Sequence, residues 1–301
     1  MNSFRLAALL VTAGFLALPR GAEAASGRIS VEANNVHRTA TVVEYSRLKK
    51  GRRPTVIVLH GGRSTGGRIR RTLGLDEFAL GSGAVMVYPD GIDGHWNRLR
   101  PPDSGPDDPA FLQALINRLV SDGIADRRRV YLVGFSSGGM LALRMACDHA
   151  DMVAGVGAIG AALPAEVAQT CKPSRPVPTI LVSGTADPLV PFQGGKANLS
   201  DDKGELASAD ATLAPFAAAA GCGTAHTSTA LPDRDKNDGS RVEVERFNGC
   251  KVPIEMIRVD GGGHTIPGRP TVSNRGVPVG AQNNDFDAGK QIVDFFRRLW
   301  R

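Results

Sequence analysis

The run Gly134-Phe135-Ser136-Ser137-Gly138 constrains this chain more than any other feature. It follows a strand-like apolar stretch, Val130 to Phe135, and precedes a helix-like stretch, Gly139 to Ala146. Small residues two positions before and after the serine permit a tight, strained turn at the top of a sheet. The N-terminal N–H groups of the following helix then point towards the serine. We therefore predict that Ser136 is a nucleophile placed to meet a carbonyl group.

The pattern alone is weak evidence, because a chain with 36 glycines in 301 residues is expected to match it by chance about 0.2 times. A second match is present, Gly62-Arg63-Ser64-Thr65-Gly66. No helix is predicted to begin directly behind Ser64, whereas strand and helix flank Ser136 on both sides. The flanks therefore favour Ser136.

The first residues are typical of a secretory signal. Arg5 gives a basic start, Leu6 to Leu18 is an apolar run, and Ala22-Glu23-Ala24 is a small-x-small cleavage site. The run is too short to span a membrane, and a buried N-terminal helix is the alternative interpretation. We predict a signal peptide at 1–25 and one catalytic domain at 26–301, secreted or periplasmic and without a membrane anchor after cleavage.

Charge and cysteine spacing argue against a nucleic-acid partner and against a metal site, and they favour disulfide bonds. The formal charge is +6, but the basic clusters are short and lack interleaved aromatic residues, so a nucleic-acid surface is not expected. Four cysteines in an exported chain suggest two disulfides with three possible connectivities. We favour Cys147–Cys171 and Cys222–Cys250, because each pair closes a short loop. No C-x-x-C spacing occurs, and neither a metal nor an organic cofactor is predicted.

Apolar, β-branched runs recur along the chain with helical stretches between them. Most runs are continuous, which suits strands buried on both faces of a parallel sheet. One helix is predicted to begin with Asp108 as cap and Pro109 in its first turn, and a last helix to cover Asp285 to Trp300. The pattern predicts an α/β fold with a mostly parallel central sheet and helices on both faces. The predicted strands are Thr55 to Leu59, Ala84 to Tyr88, Val130 to Phe135, Val153 to Ile159, Thr179 to Val182 and Ile254 to Val259.

Candidate functional residues follow four of these strands, where ligands bind in open α/β sheets. Ser136 is the first. His60-Gly61-Gly62 is the second, a loop whose N–H groups could bind an oxyanion, with His60 more suited to ordering the loop than to acting as a base. The alternatives are an ordinary glycine turn at Ser136 and a plain strand-to-helix turn at His60.

Asp187 and His264 complete the set. Asp187 could accept a hydrogen bond from a histidine ring, although a turn-forming Asp before Pro is the alternative. His264 follows three glycines, which we expect to form a flexible loop that swings the ring over the serine; a structural histidine is the alternative. The chain order Ser136, Asp187, His264 is the one that α/β-hydrolases require.

The chain resembles the secreted polyhydroxybutyrate depolymerase and feruloyl esterase family of α/β-hydrolases. The resemblance covers about Pro54 to Phe296. Members of this family also have cysteines near positions 147, 171, 222 and 250, which supports the disulfide pairing given above. One departure is Ile266, where the family often has an aromatic residue. The residues that carry the resemblance are His60-Gly61-Gly62, His95-Trp96-Asn97, Asp107-Asp108, Gly134 to Gly139, Gly184 to Pro191 and Gly261 to Gly268.

The resemblance implies a serine carboxylesterase with a small or oligomeric ester as substrate. Feruloyl, aryl or short-chain hydroxyalkanoate esters are expected first and acetylated xylan second, with an inactive binding protein on the same fold as the rival of another class. The expected oxyanion donors are the N–H of Ser137 and one from Gly62 or Arg63. The expected pocket residues are His60, His95, Trp96, Asn97 and Ile266.

Overall fold

A ten-stranded sheet forms the centre of the molecule in the part of the chain that the structure describes. The structure is a computed structural model, and it describes residues 24–45, 51–97, 106–198, 204–270 and 277–300. Residues 1–23 of the predicted signal peptide lie outside the described residues. The first described strand begins at Ala24, two residues before the predicted start of the catalytic domain.

The sheet has the order β1-β2-β4-β3-β5-β6-β7-β12-β11-β10. Its six central strands, from β4 to β12, run parallel, and an antiparallel pair extends the sheet at each edge. A small ribbon of β8 and β9 stands apart. The strands are β1 Ala24–Ala33, β2 Val36–Tyr45, β3 Arg53–Leu59, β4 Val85–Pro89, β5 Ala125–Phe135, β6 Gly155–Ile159, β7 Thr179–Gly184, β8 Gly195–Lys196, β9 Glu205–Leu206, β10 His226–Ala230, β11 Arg241–Phe247 and β12 Ile254–Asp260.

Helices cover both faces of the sheet, and two apolar cores result. In β3, Ile57 and Leu59 face one core while Val56 and Val58 face the other, since successive side chains of a strand point to opposite faces. The first core lies beneath α3, α4 and α6, and the second beneath α1, α2 and α7. The helices are α1 Gly66–Leu73, α2 Asp76–Ala79, α3 Asp108–Ser121, α4 Ser137–Asp148, α5 Ala165–Thr170, α6 Ala209–Ala220 and α7 Ala288–Arg297.

The predicted fold class is confirmed, and each predicted strand is present with its bounds shifted by a few residues. The cap of α3 is a correction: Asp107, not Asp108, accepts a bond from the Ala110 N–H at 2.9 Å. Asp108 is instead buried as the first residue of the helix. The last helix is shorter than predicted and begins after Asp287, whose side chain accepts from the Lys290 N–H.

Both predicted disulfides are confirmed. Cys147 at the end of α4 is bonded to Cys171, and Cys222 after α6 is bonded to Cys250 before β12. The two bridges close loops of 24 and 28 residues in sequence separation. By loop-closure entropy each is worth about 3 kcal/mol. The first bridge fixes the far end of α4, the helix whose near end carries the candidate nucleophile.

Candidate active site

Ser136 lies in a strained turn between β5 and α4. Its backbone φ is +53°, in a region that serine rarely adopts, and its N–H donates to the Ile159 carbonyl at 2.9 Å. A Cβ on Gly138 would stand 2.4 Å from the Leu59 carbonyl oxygen. Glycine at 138 therefore allows the start of α4 to lie directly on the end of β3, which brings two strand ends and one helix terminus together at the serine.

Ser136, His264 and Asp187 form one hydrogen-bonded chain. Nε2 of His264 lies 3.0 Å from Oγ of Ser136, and Nδ1 lies 2.7 Å from Oδ2 of Asp187. The other carboxylate oxygen of Asp187 accepts from the N–H groups of Leu189 and Val190, each at 2.8 Å. The acid is thereby oriented towards Nδ1, which leaves Nε2 to accept a proton from the serine. The structure brings these three side chains together, each at a different strand end.

The His264 loop differs from the flexible loop expected from its three glycines. Gly262 accepts from the Ala186 N–H at 3.0 Å, and Gly263 donates to the Ala281 carbonyl at 2.8 Å. A Cβ on Gly263 would stand 2.2 Å from the Val279 carbonyl oxygen. These glycines therefore serve close approach between backbones, and the histidine is held from both sides.

The loop after β3 reaches the nucleophile from the other direction. A Cβ on Gly61 would stand 3.5 Å from the Cβ of Ser136, so the loop packs against the serine itself. Gly62 and Arg63 follow at the surface, and Arg63 has a φ of +55°. Residues 61–63 and the first residue of α4, Ser137, thus lie side by side next to the serine.

His60 orders this loop. Its ring is fully buried, Nδ1 donates to the Gly61 carbonyl at 2.7 Å, and Nε2 accepts from the Gly91 N–H at 2.9 Å. Because Nε2 accepts, the ring carries its proton on Nδ1 and is neutral. Burial lowers the pKa of His60, against the opposing effect of the bond to Gly61. We therefore assign His60 to holding the loop and leave it out of the proposed pocket.

A buried ion pair that the sequence reasoning missed supports the wall beside the site. Arg38, on β2, contacts Asp108 at 2.6 Å, and its guanidinium lies 5.5 Å from the Trp96 ring centre. The Trp96 N–H donates to the His60 carbonyl at 2.8 Å, and Asp108 also accepts from the N–H of Asn97. Burial raises the pKa of Asp108, with Arg38 opposing. Inward-facing Arg38 in an alternating strand was the available sequence signal.

The remaining expected pocket residues divide into two groups. Trp96 and Ile266 are each only 4% exposed, and Ile266 packs in the core beneath α7. They support loops and offer little surface to a ligand. His95 and Asn97 are half-buried on the segment next to the residue 60–63 loop, and the Asn97 side chain donates to the Pro106 carbonyl at 2.9 Å. We keep His95 and Asn97 as proposed pocket residues.

Known proteins are similar to this chain in sequence and in fold. Residues 107–200, which include the nucleophile turn and Asp187, match the Phospholipase/Carboxylesterase family of α/β-hydrolases. The putative esterase NocK of Nocardia uniformis subsp. tsuyamanensis is 32% identical over 256 residues, which are 81% of this chain and 74% of that protein. The chain belongs to the same esterase family as this relative. It is an enzyme that hydrolyses esters.

Two further matches extend the comparison. Feruloyl esterase B of Piromyces equi is 29% identical over 195 residues, which are 62% of this chain and 34% of that larger protein. The structure of an acetyl xylan esterase from Aspergillus awamori superposes with a TM-score of 0.60 at 14% identity, over 90% of this chain and 99% of the other. At that identity the second match supports the fold of this esterase and no finer property.

The described ranges hold neither a membrane-spanning helix nor a cluster of metal ligands. No helix in those ranges is long and apolar enough to cross a membrane. Within the same ranges, no group of three or more His, Cys, Asp or Glu side chains is placed to hold a metal ion.

Proposed function

We propose that this esterase acts through Ser136, His264 and Asp187 by an acyl-enzyme mechanism. The observation that carries the proposal is the continuous hydrogen-bonded chain from Ser136 Oγ through the His264 ring to Asp187, with distances of 3.0 and 2.7 Å. Each member has a neighbour that fixes it: the strained turn for the serine, the bonded loop for the histidine and two N–H groups for the acid.

In the proposed mechanism, Ser136 Oγ attacks the ester carbonyl while His264 Nε2 takes its proton. His264 then returns that proton to the leaving alcohol, and Asp187 stabilises the ring while it is charged. The N–H of Ser137 and one from Gly62 or Arg63 bind the oxygen that becomes negative, aided by the N-terminus of α4. Water then attacks the acyl-enzyme while His264 Nε2 takes its proton. His264 returns that proton to Ser136 Oγ as the acid leaves.

For the substrate we propose an ester of an aromatic acid of the feruloyl type. The support is the recurrence of feruloyl esterases among the relatives, including Feruloyl esterase B and a probable feruloyl esterase C of Aspergillus niger at 27% identity over 221 residues. Short hydroxyalkanoate esters and acetylated xylan are the alternatives that a substrate panel separates.

The test is turnover of p-nitrophenyl acetate and methyl ferulate by wild type and by Ser136→Ala. We expect wild type to hydrolyse both and the variant to lose at least about 10⁴-fold in kcat. Hydrolysis of p-nitrophenyl acetate without methyl ferulate would overturn the substrate class alone. Equal activity of the two proteins would overturn the mechanism, and a wild type that binds esters without turnover would favour the binding protein.

We also propose that the protein is exported. Its two disulfides support this, because such bonds persist in oxidising compartments. N-terminal sequencing of the protein recovered outside the cytoplasm tests the cleavage predicted after residue 25. Retention of the full chain in the cytoplasm, with its cysteines reduced, would contradict the proposal.

A further inference from the structure

A buried hydroxyl without a partner lies next to the nucleophile. Ser137 is 2% exposed, and its Oγ has no hydrogen-bond partner. Among the buried side-chain atoms left unbonded in the described ranges, it is the one hydroxyl. Buried polar groups are almost always hydrogen-bonded, so an exception of this kind calls for an explanation, and a role in catalysis is one.

The position of this hydroxyl indicates what it could bind. Ser137 is the first residue of α4, and its Oγ lies 3.9 Å from where a Cβ on Gly62 would stand. It is therefore beneath the loop that supplies one proposed oxyanion donor and on the residue that supplies the other. A serine carries its N–H and its O–H close together, and rotation about χ1 can turn the hydroxyl towards an anion that the N–H already binds.

We propose that the Ser137 hydroxyl is a third donor to the oxyanion, unbonded in the free enzyme and engaged when the tetrahedral intermediate forms. The inference rests on the proposed function. The hydroxyl donates a hydrogen bond and keeps its proton, so the covalent steps are unchanged. A bond made only after the carbonyl oxygen becomes negative stabilises the transition state more than the bound substrate, which raises kcat and leaves KM almost unaltered.

The same feature predicts an unusual pairing of effects for Ser137→Ala. Loss of a transition-state donor should lower kcat and kcat/KM for p-nitrophenyl acetate together, by about 10- to 100-fold, with KM within about two-fold. Stability should not fall, since the variant removes a buried polar group that has no partner in the folded enzyme. The Tm is expected to stay equal or to rise.

Ser240→Ala is the matched control. Ser240 is also buried, at 1% exposure, but its hydroxyl donates to Asp238 at 2.7 Å and accepts from Asn283 at 2.8 Å. This variant should lower Tm and keep kcat, the opposite of Ser137→Ala. Ser137→Cys retains the size of the side chain with a weak donor, so it should lose activity as the alanine variant does.

A tetrahedral inhibitor separates a catalytic role from a structural one. Phenylboronic acid places an oxygen in the oxyanion site when it bonds to Ser136, and its affinity should fall by the same factor as kcat/KM in both Ser137 variants. Wild-type kcat/KM and wild-type boronate affinity in Ser137→Ala and Ser137→Cys would overturn this inference alone. Undiminished turnover by Ser136→Ala would overturn the proposed function and this inference with it.

Discussion

Two segments of this chain share the pattern Gly-x-Ser-x-Gly and differ in almost everything around it. Ser136 has a φ of +53°, stands at the first turn of α4 and is bonded to His264. Ser64 does not have a positive φ, and Thr65 separates it from Gly66, where α1 begins. The pattern carries no chemistry by itself. Strand, serine and helix in immediate succession are what expose an activated hydroxyl.

The first glycines of the two segments also differ in how closely neighbouring atoms surround them. A Cβ on Gly134 would stand 2.2 Å from Gly138, and one on Gly138 would meet the end of β3 at 2.4 Å. A Cβ on Gly62 would have no atom nearer than the Ser137 Oγ, at 3.9 Å. Backbone crowding thus requires both glycines of the Ser136 segment. In the Ser64 segment it requires the second glycine, since a Cβ on Gly66 would stand 2.5 Å from the Tyr88 carbonyl oxygen, whereas the first glycine, Gly62, is sterically free.

The largest expected difference between the two segments is in activity. Ser136→Ala should reduce kcat by about 10⁴-fold or more, because the attacking oxygen is lost. Ser64→Ala should stay within about three-fold of wild type, since the side chain takes no part in the proposed steps. Initial rates with p-nitrophenyl acetate measure both. A comparable loss in the two variants would remove the distinction that the flanks provide.

Asp187→Asn should produce the next largest effect. The amide can donate to Nδ1 of His264 and so favour the tautomer with its proton on Nε2, which cannot accept from Ser136. We expect kcat to fall by about 10³- to 10⁴-fold with little change in Tm, by analogy with the serine protease triad. Steady-state kinetics and a thermal melt measure the two quantities. A loss below ten-fold would show that Ser136 is activated without the acid.

The steric comparison predicts a difference in stability. Gly138→Ala should lower the free energy of unfolding by about 3 kcal/mol, because its methyl group collides with backbone that cannot rotate away. Gly62→Ala should change it by less than about 0.5 kcal/mol. Urea denaturation of both variants makes the measurement. Equal destabilisation would contradict the steric difference between Gly138 and Gly62.

A smaller effect concerns pH and the loop that precedes Ser64. His60 has a lowered pKa in the folded protein, so the unfolded chain binds the proton more readily, with a pKa of about 6.5. Its contribution to stability is therefore present above pH 6.5 and is lost as the pH falls through that value towards the folded pKa. His60→Gln should be less stable than wild type at pH 7.5, and the gap should narrow by pH 5.5. Thermal melts of the two proteins across this pH range measure the difference in stability. A difference that does not change with pH would contradict a buried neutral His60 ring.

The sequence was sufficient for the central strands and the three bonded residues, because continuous apolar runs and the polar residues that end them are local signals. It was insufficient for the sheet edges. In β2 and β11 buried residues alternate only in part with half-buried or exposed ones, which is a weaker signal than a continuous apolar run. Every residue of β10 is exposed, so that strand has no apolar signal at all. Its place is set by pairing with β11.

Side-chain partners across the fold were the least predictable feature. Asp107 and Asp108 are adjacent and chemically alike, but Asp108 is the buried one, and its partner is the distant Arg38. His60 and Trp96 are a second example: the Trp96 N–H donates to the His60 carbonyl, and the two rings lie against each other. Such contacts depend on how the sheet brings β2, β3 and the segment after β4 together. The alternation in β2 indicates that Arg38 faces inward, but it does not indicate which residue Arg38 pairs with.

The assignment of Ser136 as the nucleophile is tested by labelling the folded enzyme with a fluorophosphonate and locating the adduct by peptide mass spectrometry. An activated serine is phosphonylated, whereas an ordinary serine is not. We predict one adduct per chain, on Ser136, formed at the same rate as esterase activity is lost. An adduct on Ser64, or full activity in a protein labelled on Ser136, would show that Ser136 is not the nucleophile.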